Sequence, residues 1–237
     1  MKKKNRLFVL SGPSGSGKST LLSKIVNEKL CEQILKYSAR EIRGGWLDKE
    51  LGGIVKDDVV SKNIDWIKKY CDIKYKMYKQ TYGVASNEIK NVLVKNNGIV
   101  IISKTNAIIR IKNMFKNTEI VFILIDEICI RKLFTSYLSR QLKTCDDELL
   151  LIADKISDSI KANDKKMFNT FDKIFKEKTK GYFTVAEYEE FIERYKSWIN
   201  SKKDYDKNRY LFTKTISGNT ISELYEKSCQ IITGSKK

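Results

Sequence analysis

The stretch from Arg6 to Val26 constrains the fold more than any other. A short apolar run, Leu7, Phe8, Val9 and Leu10, leads into Ser11, Gly12, Pro13, Ser14, Gly15, Ser16 and Gly17, and the turn ends in Lys18, Ser19 and Thr20. Leu21, Leu22, Ile25 and Val26 follow at helical spacing. Gly12 to Ser19 fits G-x-x-x-x-G-K-[ST] in full, and the flanks are those of a strand before and a helix after. Glycines at these points let successive backbone N–H groups converge on phosphate oxygens, and the helix N-terminus adds partial positive charge. The expected phosphate-binding residues are therefore Gly12, Ser14, Gly15, Ser16, Gly17, Lys18, Ser19 and Thr20. Lys18 would reach the β- and γ-phosphates of a nucleotide, and the Ser19 hydroxyl would ligate Mg²⁺.

Composition narrows the chemistry further. The chain has 237 residues, enough for one domain with an insertion or for two lobes, and its hydrophobic fraction of 41% is that of a globular protein. The basic start at Lys2, Lys3 and Lys4 resembles a leader peptide, but the apolar run after it stops at Leu10 and is broken by Gly12 and Pro13. No later run approaches the ~20 apolar residues of a membrane span. The five cysteines are scattered and lack C-x-x-C spacing, so they read as reduced thiols, and the expected compartment is the cytoplasm. There is no histidine, which excludes His-based triads and most zinc sites. The net charge of +17 is spread over nearly every segment, so it reads as a solvated surface rather than a nucleic-acid footprint.

Apolar patterning predicts an α/β fold. Ile99 to Ile102 and Ile120 to Ile125 are continuous apolar runs, as in strands buried on both faces, with helical spacing between them at Ile108, Ile111 and Phe115. Strands are expected near 6–10, 33–38, 99–103, 120–125 and 209–214, forming a five-stranded, mainly parallel sheet with the nucleotide at the carboxyl edge of the first. The segment 73–82 alternates loosely and suggests one or two small exposed strands. Ser61, Ser86, Thr184 and Thr220 are expected N-caps, and Gly98 an expected helix stop. From Ile128 to about Asn200 the pattern reads as helical throughout. The expected organisation is a P-loop core at 1–39, 98–126 and 204–237, an acceptor-binding excursion at 40–97, and a helical lid and insertion at 127–203.

The segment Leu7 to Leu21 resembles the opening of guanylate kinases more than a generic P-loop. As in that family, Arg40 and Arg43 stand three apart in the loop that follows, and Tyr82 and Gly83 precede a helix, Gly98 and a buried strand. The segment from Ile120 to Arg140 matches the strand that leads to a lid helix with a basic end, and 209–232 matches the final strand and helix. The resemblance covers most of the chain outside roughly 157–203. It implies ATP and Mg²⁺ as cofactors and a small phosphorylated acceptor, GMP or another nucleoside monophosphate. It also implies that Arg40, Arg43 and Tyr82 hold the acceptor phosphate, a task suited to guanidinium forks. Lys18 and Arg140 would stabilise the transferring phosphoryl group, with Lys155 a weaker candidate for a second lid cation.

The departures from the family pattern fall on base recognition. The glutamate expected before the Tyr-Gly pair falls near Ile73 or Lys74, the residue after Gly83 is Val84, and Ser103, Lys104, Thr105 and Asn106 include no acid. Ala39 stands where a Thr is expected, and Asp57 where a phosphate-binding Tyr is expected. A site that discriminates by hydrogen bonds loses much when those partners are missing. The related ribose 1,5-bisphosphate phosphokinases share a Tyr-Gly-Val/Ile pattern, which keeps a non-guanine acceptor such as a ribose phosphate as an alternative. A second alternative is a P-loop ATPase or switch, suggested by Asp126 and Glu127 at the end of an apolar strand. A third is a guanylate kinase-like domain that binds a protein partner without catalysis.

Overall fold

The computed structural model describes residues 4–13, 16–39, 59–60, 63–77, 80–126, 147–178, 180, 189, 193, 196, 200–218 and 220–234. In chain order the elements are β1 (Leu7–Ser11), α1 (Lys18–Asn27), β2 (Glu32–Gln33), β3 (Tyr37–Ser38), β4 (Val59–Val60), α2 (Ile64–Tyr70), β5 (Ile73–Met77), β6 (Gln80–Val84) and α3 (Ser86–Lys95). Then follow β7 (Gly98–Ile101), α4 (Thr105–Met114), β8 (Ile120–Ile125), α5 (Asp147–Ala162), α6 (Lys165–Lys178), a 3₁₀ turn at Arg209–Leu211, β9 (Lys214–Ile216) and α7 (Ile221–Thr233). By contacts the chain divides into one unit of Met1–Gly12, Gly17–Asp126 and Tyr205–Lys237, and a second of Pro13–Ser16 and Glu127–Asp204.

The first unit is built on a five-stranded sheet of order β2-β7-β1-β8-β9. Every pairing in it is parallel. The apolar runs are central strands because both of their faces are covered. Leu7 and Val9 of β1 point into one core with Val100, Ile102, Phe122 and the α3 and α4 residues Ile89, Val92, Ile108 and Ile111. Phe8 and Leu10 point the other way, into a core with Ile99, Ile101, Ile123, the α1 residues Leu21, Leu22 and Ile25, and Leu224 and Ile232 of α7. The expected five-stranded parallel α/β fold is thus the observed one. A second sheet, β4-β3-β6-β5, flanks the first core: β5 and β6 form an antiparallel hairpin that supplies Ile73, Tyr75, Tyr82 and Val84.

Several boundaries differ from expectation, each for a physical reason. The strand expected at 33–38 is two strands: β2 pairs with β7 and β3 pairs with β6, because the chain crosses from one sheet to the other between them. The strand expected at 209–214 begins later. Residues 209–211 form a 3₁₀ turn, Leu211 N–H bonding back to Asn208, and pairing with β8 starts at Lys214. The hairpin at 73–84 is buried on one face, through Ile73, Tyr75, Tyr82 and Val84, and exposes Lys76 on the other.

Among the expected caps, Thr220 is the N-cap of α7, accepting from the Glu223 N–H at 3.1 Å. Asn63, not Ser61, caps α2 through the N–H groups of Asp65 and Trp66, and Ser61 lies outside the described residues with Thr184. Ala85 is the N-cap of α3, and Ser86 is its first residue. The Ser86 hydroxyl and N–H both donate to Asp72, at 2.6 and 2.8 Å. Asn96 is the C-cap of α3 and Gly98 opens β7, where a Cβ would lie 2.7 Å from Ile34 Cδ1.

In the second unit α5 and α6 pack on each other. Asn163 takes a left-handed φ of 56°, and the Asp164 carboxylate accepts from the Met167 N–H at 2.9 Å to start α6. A Glu148–Lys178 ion pair joins the start of α5 to the end of α6, so the two run antiparallel. Lys180 makes an isolated strand-type bridge, so this region is not helical throughout. Among the described residues no helix is long and apolar enough to cross a membrane. Cys31 and Cys71 are buried free thiols, and burial pushes their pKa values up to about 12 and about 11. They are core residues with little thiolate character.

Candidate active site

The glycine-rich loop leaves the carboxyl end of β1, the middle strand of the parallel sheet. Two hydrogen bonds lock that strand end to its neighbour β7. The Ile102 N–H bonds to the Leu10 carbonyl at 2.9 Å, and the Ser11 hydroxyl donates to the Ile102 carbonyl at 2.7 Å. Gly12 then turns the chain with φ 149°, a conformation that favours glycine. Within the loop the Ser16 N–H returns to the Pro13 carbonyl at 3.3 Å. Gly17 is the N-cap of α1 at φ 79°, and an added Cβ would lie 2.5 Å from Ile221 Cδ1.

Helix α1 therefore begins at Lys18, with no acidic residue in its first turn and no side chain capping its N–H groups. Its positive end is not neutralised by its own side chains, which is the arrangement an anion needs. Lys18 is buried, Ser19 half-buried and Thr20 exposed. Among the described residues no three His, Cys, Asp or Glu side chains converge on a possible metal site. If Mg²⁺ binds at this loop, the Ser19 hydroxyl is the side-chain ligand that would hold it, since Mg²⁺ needs few protein ligands at such sites. Ser14, Gly15 and Arg140 lie outside the described residues.

On the second sheet Tyr82 and Gly83 sit inside strand β6, not in a turn. Tyr82 pairs with Ser38 on one side and Tyr75 on the other, and its ring stacks on Tyr75 with centroids 5.4 Å apart. Lys36 is buried, with its Nζ 5.6 Å from the Tyr82 ring centroid. A Cβ on Gly83 would meet Cys71 Cβ at 2.6 Å and Ile67 Cγ2 at 2.7 Å, so the Tyr-Gly pair is glycine where helix α2 crosses the strand. Ser38 Oγ is buried and has no hydrogen-bond partner among the described residues. Beyond β3 the Ala39 N–H bonds to the Thr81 carbonyl at 2.9 Å, and the chain then runs to Arg40 and Arg43, which lie outside the described residues.

Two carboxylates flank this sheet and both are engaged. Asp72 accepts from Ser86 twice, and those bonds hold its carboxyl below the usual range. Glu88 accepts from the Tyr37 hydroxyl at 3.3 Å, and burial first, then Glu88, raises the Tyr37 pKa. At the end of β8 the Asp126 carboxylate pairs with Arg209 at 2.6 Å.

One residue at the loop escaped the sequence reading. Tyr205 is 2% exposed, and its hydroxyl lies 2.8 Å from the Ser103 carbonyl and 3.2 Å from the Gly12 carbonyl. Those partners are 102 and 193 positions away, so no local pattern could have marked it.

The parallel sheet with a glycine-rich loop running from its central strand into a helix defines an α/β P-loop protein. No family model matches the chain. It is 25% identical over 134 residues to a guanylate kinase of Caldanaerobacter subterraneus subsp. tengcongensis, covering 52% of this chain and 60% of that one. A guanylate kinase of Wigglesworthia glossinidia brevipalpis is 26% identical over 125 residues, covering 52% of this chain and 59% of that one. The matched part thus spans about three fifths of the curated relatives' length. Among solved structures, guanylate kinase from Anaplasma phagocytophilum aligns with a TM-score of 0.54 at 12% identity, over 99% of this chain and 87% of that chain. The chain is similar to guanylate kinases in sequence over about half its length and in fold over nearly all of it.

Proposed function

We propose that the chain transfers the γ-phosphoryl group of ATP to a small phosphorylated acceptor, in the manner of guanylate kinases. The observation that carries this reading is the loop from Gly12 to Thr20, where a left-handed Gly17 launches a helix whose first turn holds Lys18 and no acid. In this reading Lys18 and the α1 N–H groups hold the donor phosphates, and Ser19 holds Mg²⁺, which supplies charge neutralisation between them. Arg40, Arg43 and Tyr82 hold the acceptor phosphate in line, and Arg140 spreads charge on the moving group. Such transfer rests on positioning and electrostatics and needs no covalent nucleophile. The absence of histidine is consistent with that chemistry.

A non-guanine acceptor is the alternative form of the reading, supported by Val84 after Gly83 and by the lack of an acid among Ser103, Lys104, Thr105 and Asn106. The guanine edge offers N–H donors that carboxylates at those points would accept. The ATPase alternative is disfavoured because Asp126, its candidate metal-binding carboxylate, is paired with Arg209.

The test is to incubate the protein with Mg-ATP and a panel of GMP, dGMP, AMP, CMP, UMP, ribose 1,5-bisphosphate or no acceptor, following ADP. Acceptor-dependent ADP is expected, with Arg40→Ala weakening acceptor use and sparing ATP binding. Equal ADP without acceptor refutes the kinase, and no ATP binding favours the protein-binding alternative.

A further inference from the structure

We infer that Tyr205 is a positioning residue for the phosphate loop: its hydroxyl sets the direction in which the chain enters the loop. This rests on the reading of the loop as the donor-phosphate site.

The geometry of the loop entry makes one hydroxyl decisive. Gly12 is the residue with the widest choice of backbone torsions, and here it holds φ 149°. Pro13, the only proline in the chain, follows it, with its own φ fixed by the ring and no N–H to anchor the peptide. The peptide between them can be held only through the Gly12 carbonyl. Tyr205 reaches that carbonyl at 3.2 Å and the Ser103 carbonyl at 2.8 Å, a three-centred bond from one O–H. Ser103 lies just past β7 and Gly12 just past β1, so Tyr205 extends by one more rung the stitching made by Ile102 N–H and Ser11 Oγ. Holding the Gly12 carbonyl beside the Ser103 carbonyl fixes the direction in which the chain leaves β1.

Tyr205 itself is fixed. It is the largest of the described side chains that are fully buried, and its ring meets Phe212 edge-on with centroids 5.7 Å apart. A buried Tyr places its hydroxyl with little rotamer freedom, so the loop entry is preorganised before nucleotide arrives. In the chain Tyr205 is where the first unit resumes after Asp204.

The test is Tyr205→Phe, which keeps the ring and removes one oxygen, with Phe212→Leu as the control that loosens the ring without touching the hydroxyl. ATP binding is measured by calorimetry, melting by heat, and KM separately for ATP and for whichever acceptor the panel identifies. The expected result is a rise of about two- to tenfold in the Kd and KM for ATP in Y205F, the span of one net hydrogen bond. The acceptor KM stays unchanged, and F212L lowers the melting temperature without shifting ATP affinity. Unchanged ATP affinity in Y205F overturns the inference. So does a loss in Y205F that merely tracks its melting temperature along the line F212L defines. If Y205F does not fold, 3-fluorotyrosine at position 205 keeps ring and hydroxyl. Its fluorine resonance must then move when ATP binds, and a fixed resonance in an ATP-saturated protein overturns the inference. Wild-type protein that binds no ATP refutes the proposed function instead, which separates the two failures.

Discussion

Gly17→Ala separates two reasons for a glycine at the start of α1. The first is backbone strain, because φ 79° is left-handed and costs an L-residue about 1–2 kcal/mol. The second is steric, since the new Cβ would lie 2.5 Å from Ile221 Cδ1. That methyl ends a flexible, half-buried side chain, so Ile221 can turn aside, and the low end of the overpacking cost, about 1 kcal/mol, is expected. The total is about 2–3 kcal/mol, measured as a shift in urea midpoint at constant m-value. Ile221→Val removes only the offending methyl and by itself costs about 0.5–1 kcal/mol. In the Gly17→Ala background the same change should cost nothing or restore about 1 kcal/mol, leaving the backbone strain behind. Strict additivity of the two substitutions would refute the steric half of the argument, and a fully stable single variant would refute both halves.

Gly83→Ala should destabilise by about 3 kcal/mol, because the new Cβ meets Cys71 Cβ at 2.6 Å and Ile67 Cγ2 at 2.7 Å, and a Cβ on a helix-end backbone cannot swing away. A urea midpoint within error of wild type would show that α2 does not press on β6. Asp72, whose carboxyl is held below its ordinary value by the Ser86 hydroxyl and N–H, should titrate below about 3.9 in an NMR titration. A depressed folded pKa adds stability above the unfolded value, and that stability is lost as pH falls through the folded one. The stability gap between wild type and Ser86→Ala should therefore be full near neutral pH and close in acid; a gap that widens in acid refutes the sign.

The layers of this fold were legible because burial writes itself into consecutive residues. Ile99 to Ile102 and Ile120 to Ile125 are short runs rich in β-branched residues and apolar on both faces, as central strands require, and they form β7 and β8. The loop was legible because its glycines, lysine and flanking elements are neighbours in sequence. What the sequence hid was tertiary. Residues 33–38 read as one strand because nothing local marks the step from one sheet to the other. Residues 209–211 have strand-like composition, yet Leu211 turns inward through a 3₁₀ bond before pairing with β8 begins. Ser86 looked like a cap and instead donates to Asp72, 14 positions earlier. Nothing local marks why residue 83 is glycine, and the crossing of α2 over β6 explains it.

The fate of the γ-phosphoryl group decides between phosphoryl transfer and hydrolysis. With γ-labelled ATP, Mg²⁺ and the acceptor that drives most ADP release, the label should appear on the acceptor in wild type and vanish with Lys18→Ala. Label released as inorganic phosphate at the same rate with and without acceptor would contradict phosphoryl transfer.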